Sequence, residues 1–171
     1  MEDAFLLDDV LLVCPIGQQG ANSCTVKLPQ GEWYEFEQDR LHTGDRSIQL
    51  TALLEELPLS VKVGSIIPTQ ENHQLILHLY PSASGYCEGR IYSDAGDGYR
   101  EWRSNHFCLK PQPNHLELTW QQEGDYAFPY KGIRLQVHGL TLGQVYMDGQ
   151  PLSFNNNCIE IKRAELEPAL S

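Results

Sequence analysis

Apolar and polar residues alternate in short stretches along most of the chain. In residues 74–80, for example, Leu75, Leu77 and Leu79 occupy every second position. A period of two is typical of a strand with one buried face. The same pattern predicts strands at residues 10–16, 23–28, 32–36, 47–50, 59–63, 74–80, 88–93, 100–109, 115–121, 132–138, 144–147 and 158–162.

Turn-forming residues separate these stretches about every 8–12 residues, which is the spacing found in β-sandwiches and barrels. The Asp148-Gly149 pair predicts a tight hairpin turn, and residues 155–157 (NNN) predict another turn. Only residues 50–57 look helical. We therefore predict an all-β fold of two small antiparallel β-sandwich domains in tandem. The polar residues 71–73 suggest a boundary, giving domains at 1–72 and 73–171.

Composition narrows the classes of function. The chain has 171 residues, 41% of them hydrophobic, which is enough for packed cores. Its formal net charge of −11 disfavours binding to nucleic acid and to anionic membrane surfaces. No apolar run approaches the roughly 20 residues that a membrane-spanning helix needs. Neutral ligands such as sugars are not disfavoured.

The cysteines bear on compartment and metals. There are five, at positions 14, 24, 87, 108 and 158, and none forms a Cys-x-x-Cys pair. We expect buried, reduced thiols in a cytoplasmic protein, with no zinc site and no cofactor. Asp8 and Asp9 interrupt the apolar residues near the N-terminus, and no basic residue precedes them. A signal peptide is therefore not expected there.

Candidate catalytic residues are hard to find. General acid–base catalysis often uses a pair of carboxyl groups in one site, and 23 acidic residues always allow some pair. Glu32, Glu35 and Glu37 alternate with apolar residues, so we interpret them as the solvated face of a strand. Ser65 lies outside any Gly-x-Ser-x-Gly motif, and no histidine is close to it in sequence. We predict no catalytic, cofactor-binding or metal-binding residue.

Two weaker binding signals remain. Asp94 and Asp97 lie in a glycine-rich segment, where calcium is one interpretation and a turn is the favoured one. The six histidines show no paired spacing, and His78 and His138 are expected to pack or to face solvent. Aromatic sets could stack on sugar rings, but aromatic residues on sandwich strands are more often core. These sets are Trp33, Tyr34 and Phe36; Tyr99, Trp102 and Tyr126; and residues 128–130 (FPY).

Four motifs resemble the region that follows the catalytic barrel in glycoside hydrolase family 31. They are residues 3–16 (DAFLLDDVLLVCPI), 27–36 (KLPQGEWYEF), 57–68 (LPLSVKVGSIIP) and 91–99 (IYSDAGDGY). In the family, the first segment ends in Leu-Leu-Val-Ala-Pro-Val and the second reads Leu-Pro-x-Gly-x-Trp-Tyr-Asp-Phe. The third ends in Arg-Ala-Gly-Ser-Ile-Ile-Pro, and the fourth reads Leu-Tyr-Glu-Asp-Asp-Gly-Asp-Gly-Tyr. Cys14 replaces the usual Ala, and residues 60–63 (SVKV) replace Phe-Val-Arg-Ala. Residues 100–171 are similar only in β character and position.

The resemblance implies proximal and distal C-terminal β-domains that support an upstream (β/α)8 barrel. In the family this barrel carries the catalytic aspartates, the nucleophile within a Trp-x-Asp-Met-Asn-Glu-like motif. That motif is absent from this sequence, and a barrel of about 250 residues would not fit. The chain alone is therefore expected to be inactive. The parent would be a retaining α-glucosidase or α-xylosidase.

Two alternatives stay open. One is a free-standing carbohydrate-binding module with exposed aromatic residues and weak affinity for sugars. The other is a split-gene subunit that assembles with a separately encoded barrel. An isolated chain that leaves a barrel-facing apolar patch uncovered is expected to form a homodimer through that patch.

Overall fold

A computed structural model describes residues 4–15, 22–36, 38–51, 57–96 and 101–170. The described residues are almost entirely β-strand and turn, which confirms the predicted all-β class. They divide into two compact units, Met1–Ser65 and Ile66–Ser171. Across the described ranges, no helix has the length and apolar character needed to cross a bilayer.

The first unit contains two antiparallel sheets. Its strands are β1 (Phe5–Leu7), β2 (Leu11–Val13), β3 (Ser23–Lys27), β4 (Glu32–Glu35), β5 (Leu41–Thr43), β6 (Ser47–Thr51) and β7 (Leu59–Lys62). Five of them form a sheet in the order β1-β2-β7-β4-β5, and β3 pairs with β6. The short strands β1 and β5 were not predicted, because three residues carry too little alternation to stand out.

The β3–β6 pair shows how alternation builds the first core. Cys24 lies opposite Leu50 and Val26 lies opposite Ile48, and all four side chains are buried. Side chains directly opposite each other in an antiparallel pair point to the same face. This face meets buried residues of the larger sheet in one hydrophobic cluster, which places the core between the two sheets. The cluster contains Leu12, Cys14, Cys24, Val26, Leu28, Trp33, Ile48 and Leu50.

A disulfide joins Cys14 to Cys24 inside this core, with 6.6 Å between their Cα atoms. The expectation of reduced thiols is therefore wrong for these two residues, although Cys87, Cys108 and Cys158 are free. The end of β2 meets β3 only after the two sheets pack together. A ten-residue spacing in sequence carries no sign of that meeting.

The second unit is built on one large sheet and a separate hairpin. Its strands are β8 (Ser65–Glu71), β9 (Gln74–Tyr80), β10 (Cys87–Asp94), β11 (Trp102–Pro111), β12 (Leu116–Glu123), β13 (Gly132–Val137), β14 (Val145–Met147), β15 (Gln150–Leu152), β16 (Phe154–Asn155) and β17 (Cys158–Lys162). The eight-stranded sheet runs β12-β11-β10-β8-β9-β13-β17-β16, and β14 pairs with β15.

Two neighbouring strands of this sheet run parallel rather than antiparallel. β9 and β13 run parallel, with Leu77 opposite Leu135. Parallel pairing needs a long connection, and here β10, β11 and β12 supply it. The alternation at residues 74–80 identified the buried side chains correctly but could not reveal the direction of the neighbouring strand.

Both ends of the large sheet contribute to one core. Leu75 and Leu77 of β9 share a hydrophobic cluster with Phe107 of β11 and Ile159 of β17. The sheet therefore closes over its own inner face in the manner of a sandwich. On β10, Gly89 lies so close to the carbonyl oxygen of Ile66 that a Cβ atom would overlap it.

The division of the structure lies between Ser65 and Ile66, whereas the sequence suggested a boundary between residues 72 and 73. Asn72 and His73 form the turn of the β8–β9 hairpin, and both have positive φ angles. Polar residues mark a tight turn as readily as a linker, so composition did not distinguish the two. Residues 66–68, which follow the predicted strand at 59–63, belong to β8.

The two turns predicted from Asp-Gly and Asn residues are confirmed. Asp148 and Gly149 both have positive φ between β14 and β15, as a type I′ hairpin requires. Asn156 and Asn157 also have positive φ, between β16 and β17. Local chemistry decides these turns, because few other residues tolerate that conformation.

One helix, α1 (Arg163–Leu170), ends the described chain. The Lys162 backbone N–H donates to Glu165 Oε2 over 2.7 Å, a contact typical of a helix N-terminus, and Leu166 packs into the second core. Sequence reasoning missed this helix. It proposed residues 50–57 instead, of which Leu50 and Thr51 belong to β6 and residues 52–56 lie outside the described part of the chain.

Candidate functional site

The most deeply buried charge of the first unit is the carboxylate of Glu35. Its side chain is 6% exposed, and Oε1 lies 2.5 Å from His42 Nε2 and 3.5 Å from Arg40 Nη1. Arg46 Nη2 lies 3.3 Å from the other His42 nitrogen. The expectation that Glu35 belongs to a solvated face is wrong. It lies two residues from buried Trp33, on the same side of β4.

This cluster has little room for a ligand. Ser60 lies directly opposite Glu35 on β7, and its buried hydroxyl has no hydrogen-bond partner among the described residues. The cavity beside Glu35 measures about 20 Å³, enough for about one water molecule. A hydrolytic site must admit a sugar and a second carboxyl group. The arrangement can neutralise a buried charge, and we assign it that structural role.

The Asp94 region forms a turn in the part that is described. The Gly96 backbone N–H donates to Asp94 Oδ1 over 2.9 Å, so the carboxylate caps its own loop. Asp97, the second residue of the calcium interpretation, lies outside the described residues. Within those residues, no group of three or more His, Cys, Asp or Glu side chains could hold a metal ion.

The histidines cluster in a way that their spacing does not reveal. His78 Nδ1 lies 3.1 Å from His138 Nε2, and Thr69 Oγ1 lies 3.1 Å from His78 Nε2. The parallel pairing of β9 with β13 brings together residues that are 60 positions apart. Ser65, the other residue considered for chemistry, is buried at the start of β8.

A second buried charge lies in the core of the second unit. Arg103 is 2% exposed, and its Nε donates to Asn105 Oδ1 over 2.8 Å. Trp120 Nε1 donates to the same oxygen over 3.0 Å. The guanidinium carbon lies 5.8 Å from the Trp120 ring centroid and 5.2 Å from that of Phe128. Burial, followed by the nearby Arg163 charge, lowers the pKa of Arg103.

The predicted aromatic sets separate into core and surface. Trp33 and Tyr34 are buried, and Phe128 is part of the second core. Trp102 is exposed, whereas Tyr99 lies outside the described residues. The structure adds an aromatic residue that sequence reasoning missed. This is Tyr92, whose ring centroid lies 6.3 Å from that of Trp102. The signal was available, because Tyr92 alternates with buried Ile91 on β10.

An uncovered apolar edge stands out in the first unit. Phe5, Leu6 and Leu7 of β1 are 46%, 39% and 47% exposed. Successive residues of a strand point to opposite faces, so both faces of β1 are open to solvent. In the described residues β1 lies at the edge of its sheet, paired with β2. Soluble proteins seldom leave an apolar edge strand uncovered.

The motifs, the sandwich and its apolar edge agree with a direct family match. The glycosyl hydrolase family 31 C-terminal domain matches residues 1–67. Residues 1–67 are a glycosyl hydrolase family 31 C-terminal domain. The human neutral alpha-glucosidase AB is 28% identical over 122 residues. That match covers 64% of this chain and 13% of the human protein, so the chain spans a small part of this relative.

The chain is similar to a further relative in sequence and to a solved structure in fold. The isomaltosyltransferase of Sporosarcina globispora is 41% identical over 64 residues, covering 37% of this chain and 6% of that protein. A solved dextranase of the family, from Flavobacterium johnsoniae, has a TM-score of 0.76 at 22% identity. This fold likeness covers 95% of the chain and 25% of the dextranase, so it extends well beyond residue 67.

Proposed function

We propose that this chain is a non-catalytic C-terminal β region that supports the (β/α)8 barrel of an α-glucosidase-type hydrolase, in cis or in trans. The parent would hydrolyse α-glycosidic bonds with retention. The observation that carries the proposal is the exposed apolar strand β1, within a segment that belongs to the family's C-terminal domain. An accessory domain needs such a surface where its partner packs.

The nature of the edge supports a protein partner. A strand at a sheet edge presents unpaired backbone N–H and C=O groups as well as its side chains. The three exposed side chains of β1 and exposed Leu41 on β5 mark the two edges of the five-stranded sheet. Burial of such residues against a barrel would be favourable by about 25 cal/mol per Å² of apolar surface.

The buried carboxylate supports the non-catalytic part of the proposal. Among the described acidic residues, Glu35 is the buried one, and its oxygen is held by His42. Its cavity accommodates about one water molecule. A carboxyl group that cannot meet a substrate cannot serve as an acid, a base or a nucleophile.

A cytoplasmic location stays part of the proposal. The three free cysteines support it. The Cys14–Cys24 disulfide weighs against it, because such bonds persist mainly in oxidising compartments. Cell fractionation tests the location: recovery of the chain in the cytoplasmic fraction would support it, and recovery outside that fraction would contradict it.

The test of function is association with a catalytic barrel. A family 31 barrel from the same organism, expressed without its own C-terminal domains, is mixed with the chain and analysed by light scattering. We expect a one-to-one complex, with higher activity of the barrel on a chromogenic α-glucoside. Phe5→Lys combined with Leu7→Lys should weaken the complex about tenfold or more. Tyr146→Lys, at an exposed aromatic of the second unit, is the matched control.

Three results would contradict the proposal. The chain alone would turn over the α-glucoside and lose that activity when one of its own carboxylates is replaced. The folded chain would show no affinity for the barrel. Alternatively, the β1 double variant would bind as well as the Tyr146→Lys control.

A further inference from the structure

Tyr92 and Trp102 form an exposed pair of nearly parallel aromatic rings on the second unit. Tyr92 is 63% exposed and Trp102 is 42% exposed. Their ring planes lie within 14° of each other, with 6.3 Å between the ring centroids. Large aromatic residues are seldom left in water without a reason, and an exposed pair is a common sign of a binding surface.

The backbone register places polar groups on the same face as the rings. Trp102 lies opposite Asp94, and Tyr92 lies opposite Ser104. Residues directly opposite each other in an antiparallel pair share a face. Arg90 and His106, the next pair along, continue this face with polar side chains. Along β10 and β11, the described residues that share this face with the rings therefore carry hydrogen-bonding groups.

The backbone of Trp102 is held by the segment that follows β12. The Tyr126 backbone N–H donates to the Trp102 carbonyl oxygen over 3.1 Å. Gly124 has a φ of +86°, and a Cβ atom built there would lie 3.1 Å from Cδ2 of the indole. A glycine at this position therefore leaves room for the ring beside the backbone. A backbone segment that is ordered before binding loses less conformational entropy when a ligand arrives.

We propose that Tyr92 and Trp102 form a binding surface for neutral α-linked glucose oligosaccharides. A pyranose ring has an apolar face of C–H groups that matches an aromatic ring and hydroxyl groups at its rim that match Asp94 and Ser104. A protein partner would be expected to bring the rings into a larger apolar patch, and here the surroundings are polar. The net charge of −11 and the adjacent Asp94 disfavour anionic sugars. The choice of α-linked glucose rests on the proposed function.

Tryptophan fluorescence gives a direct test. Of the three tryptophans, Trp33 is buried and Trp120 packs against the second core, which leaves Trp102 exposed. Titration of the full chain with maltotriose or isomaltotriose should protect Trp102 from acrylamide quenching, with Kd in the millimolar range. Tyr92→Ala should weaken binding about tenfold, and Trp102→Ala should abolish it. Trp102→Phe should retain part of the affinity.

A matched variant shows whether sugar binding belongs to this aromatic pair. Tyr146→Ala removes another exposed aromatic of the second unit and should bind like the wild type. Because titration of Trp102→Ala cannot use Trp102 quenching, its binding is measured by ligand-observed NMR. If Trp102→Ala fails to fold by circular dichroism, Tyr92→Ala and Trp102→Phe still decide the question.

Several outcomes would overturn the proposal. Wild type could fail to bind either trisaccharide at concentrations of tens of millimolar. Binding could be unchanged in Tyr92→Ala, or cellotriose could bind as well as the α-linked sugars. Self-association that is lost in Tyr92→Ala without any effect of sugar would assign the surface to a second copy of the chain. None of these measurements involves the barrel, so failure here and failure of the proposed function are distinguishable.

Discussion

Among the described residues, each unit buries one charged side chain, and the two charges are compensated in different ways. In the first unit the carboxylate of Glu35 is paired with His42 and Arg40. In the second unit the guanidinium of Arg103 has no carboxylate within 4.0 Å among the described residues, and Asn105, Trp120 and Phe128 surround it. Charge pairing makes each partner depend on the other. Aromatic faces and an amide oxygen compensate a cation without requiring a second charge.

The units also differ in the size of their hydrophobic cores and in the presence of a disulfide. The first unit has a small core and a disulfide between Cys14 and Cys24. The second has a larger core that contains the free Cys87. Small domains bury too little apolar surface to be very stable, and a cross-link is a common compensation.

The largest effect is expected from breaking the paired charge. Glu35→Leu leaves the half-buried His42 without its carboxylate partner and should lower the free energy of unfolding of the first unit by about 3–5 kcal/mol. The contribution of Arg40 is small, because its side chain is 61% exposed. Urea unfolding followed by the Trp33 indole signal in NMR measures the change.

Glu32→Leu is the matched control on the same strand. Glu32 lies on the opposite face of β4 and is exposed, so its replacement should change the free energy of unfolding by less than about 0.5 kcal/mol. Equal costs at the two positions would show that the Glu35–His42 pair has no structural importance.

Reduction of the disulfide should have the next largest effect. In the chain-entropy account, closing a loop of this length stabilises the first unit by about 2–3 kcal/mol. Dithiothreitol should therefore lower the unfolding midpoint reported by Trp33. The Trp120 signal, which reports on the second unit, should not move. A chain that contains five free thiols by intact mass would refute the cross-link.

At Arg103, removal of the charge should cost less stability than its retention in a different shape, whereas removal of the charge at Glu35 should be costly. Arg103→Met keeps the length of the side chain and removes a buried cation, so its cost should stay below about 1.5 kcal/mol. Arg103→Lys keeps the charge but loses the planar group that faces Trp120 and donates to Asn105, and it should cost more. Thermal unfolding of both variants tests this order. A less stable Met variant would mean that the charge itself is needed.

The smallest effect is expected at the exposed pair of Glu88 and His106. A hydrogen bond from His106 lowers the pKa of Glu88, partly opposed by burial. Because the folded pKa is the lower one, the stabilisation is present above the unfolded pKa of about 4.3 and is lost as pH falls through the folded pKa. His106→Gln should raise the pKa of Glu88 in an NMR titration, and Gln121→Ala on the adjacent strand should not. An unchanged pKa in His106→Gln would contradict the assignment.

The comparison also shows where sequence reasoning succeeded and failed. Alternation placed Leu75, Leu77 and Leu79 in the core, and Asp148-Gly149 in a hairpin turn, because both depend on neighbouring residues. It misassigned Glu35, although strand geometry already places Glu32 and Glu35 on opposite faces. The assignment of Glu35 to the solvated face followed from its acidic side chain and ignored its position along the strand. A buried carboxylate needs a partner, and His42 comes from the next strand.

The sequence by itself determined the all-β class, the strand rhythm, the main turns and the resemblance of residues 3–99 to the family. These features depend on local periodicity, on turn chemistry and on ordered motifs. Only the tertiary structure decided the Cys14–Cys24 bond, the His78–His138 contact, the burial of Arg103 beside Asn105 and the exposed Tyr92–Trp102 pair. Each of these features depends on which strands pair and how the sheets pack. The alternation within one strand carries no information about which strand will lie beside it.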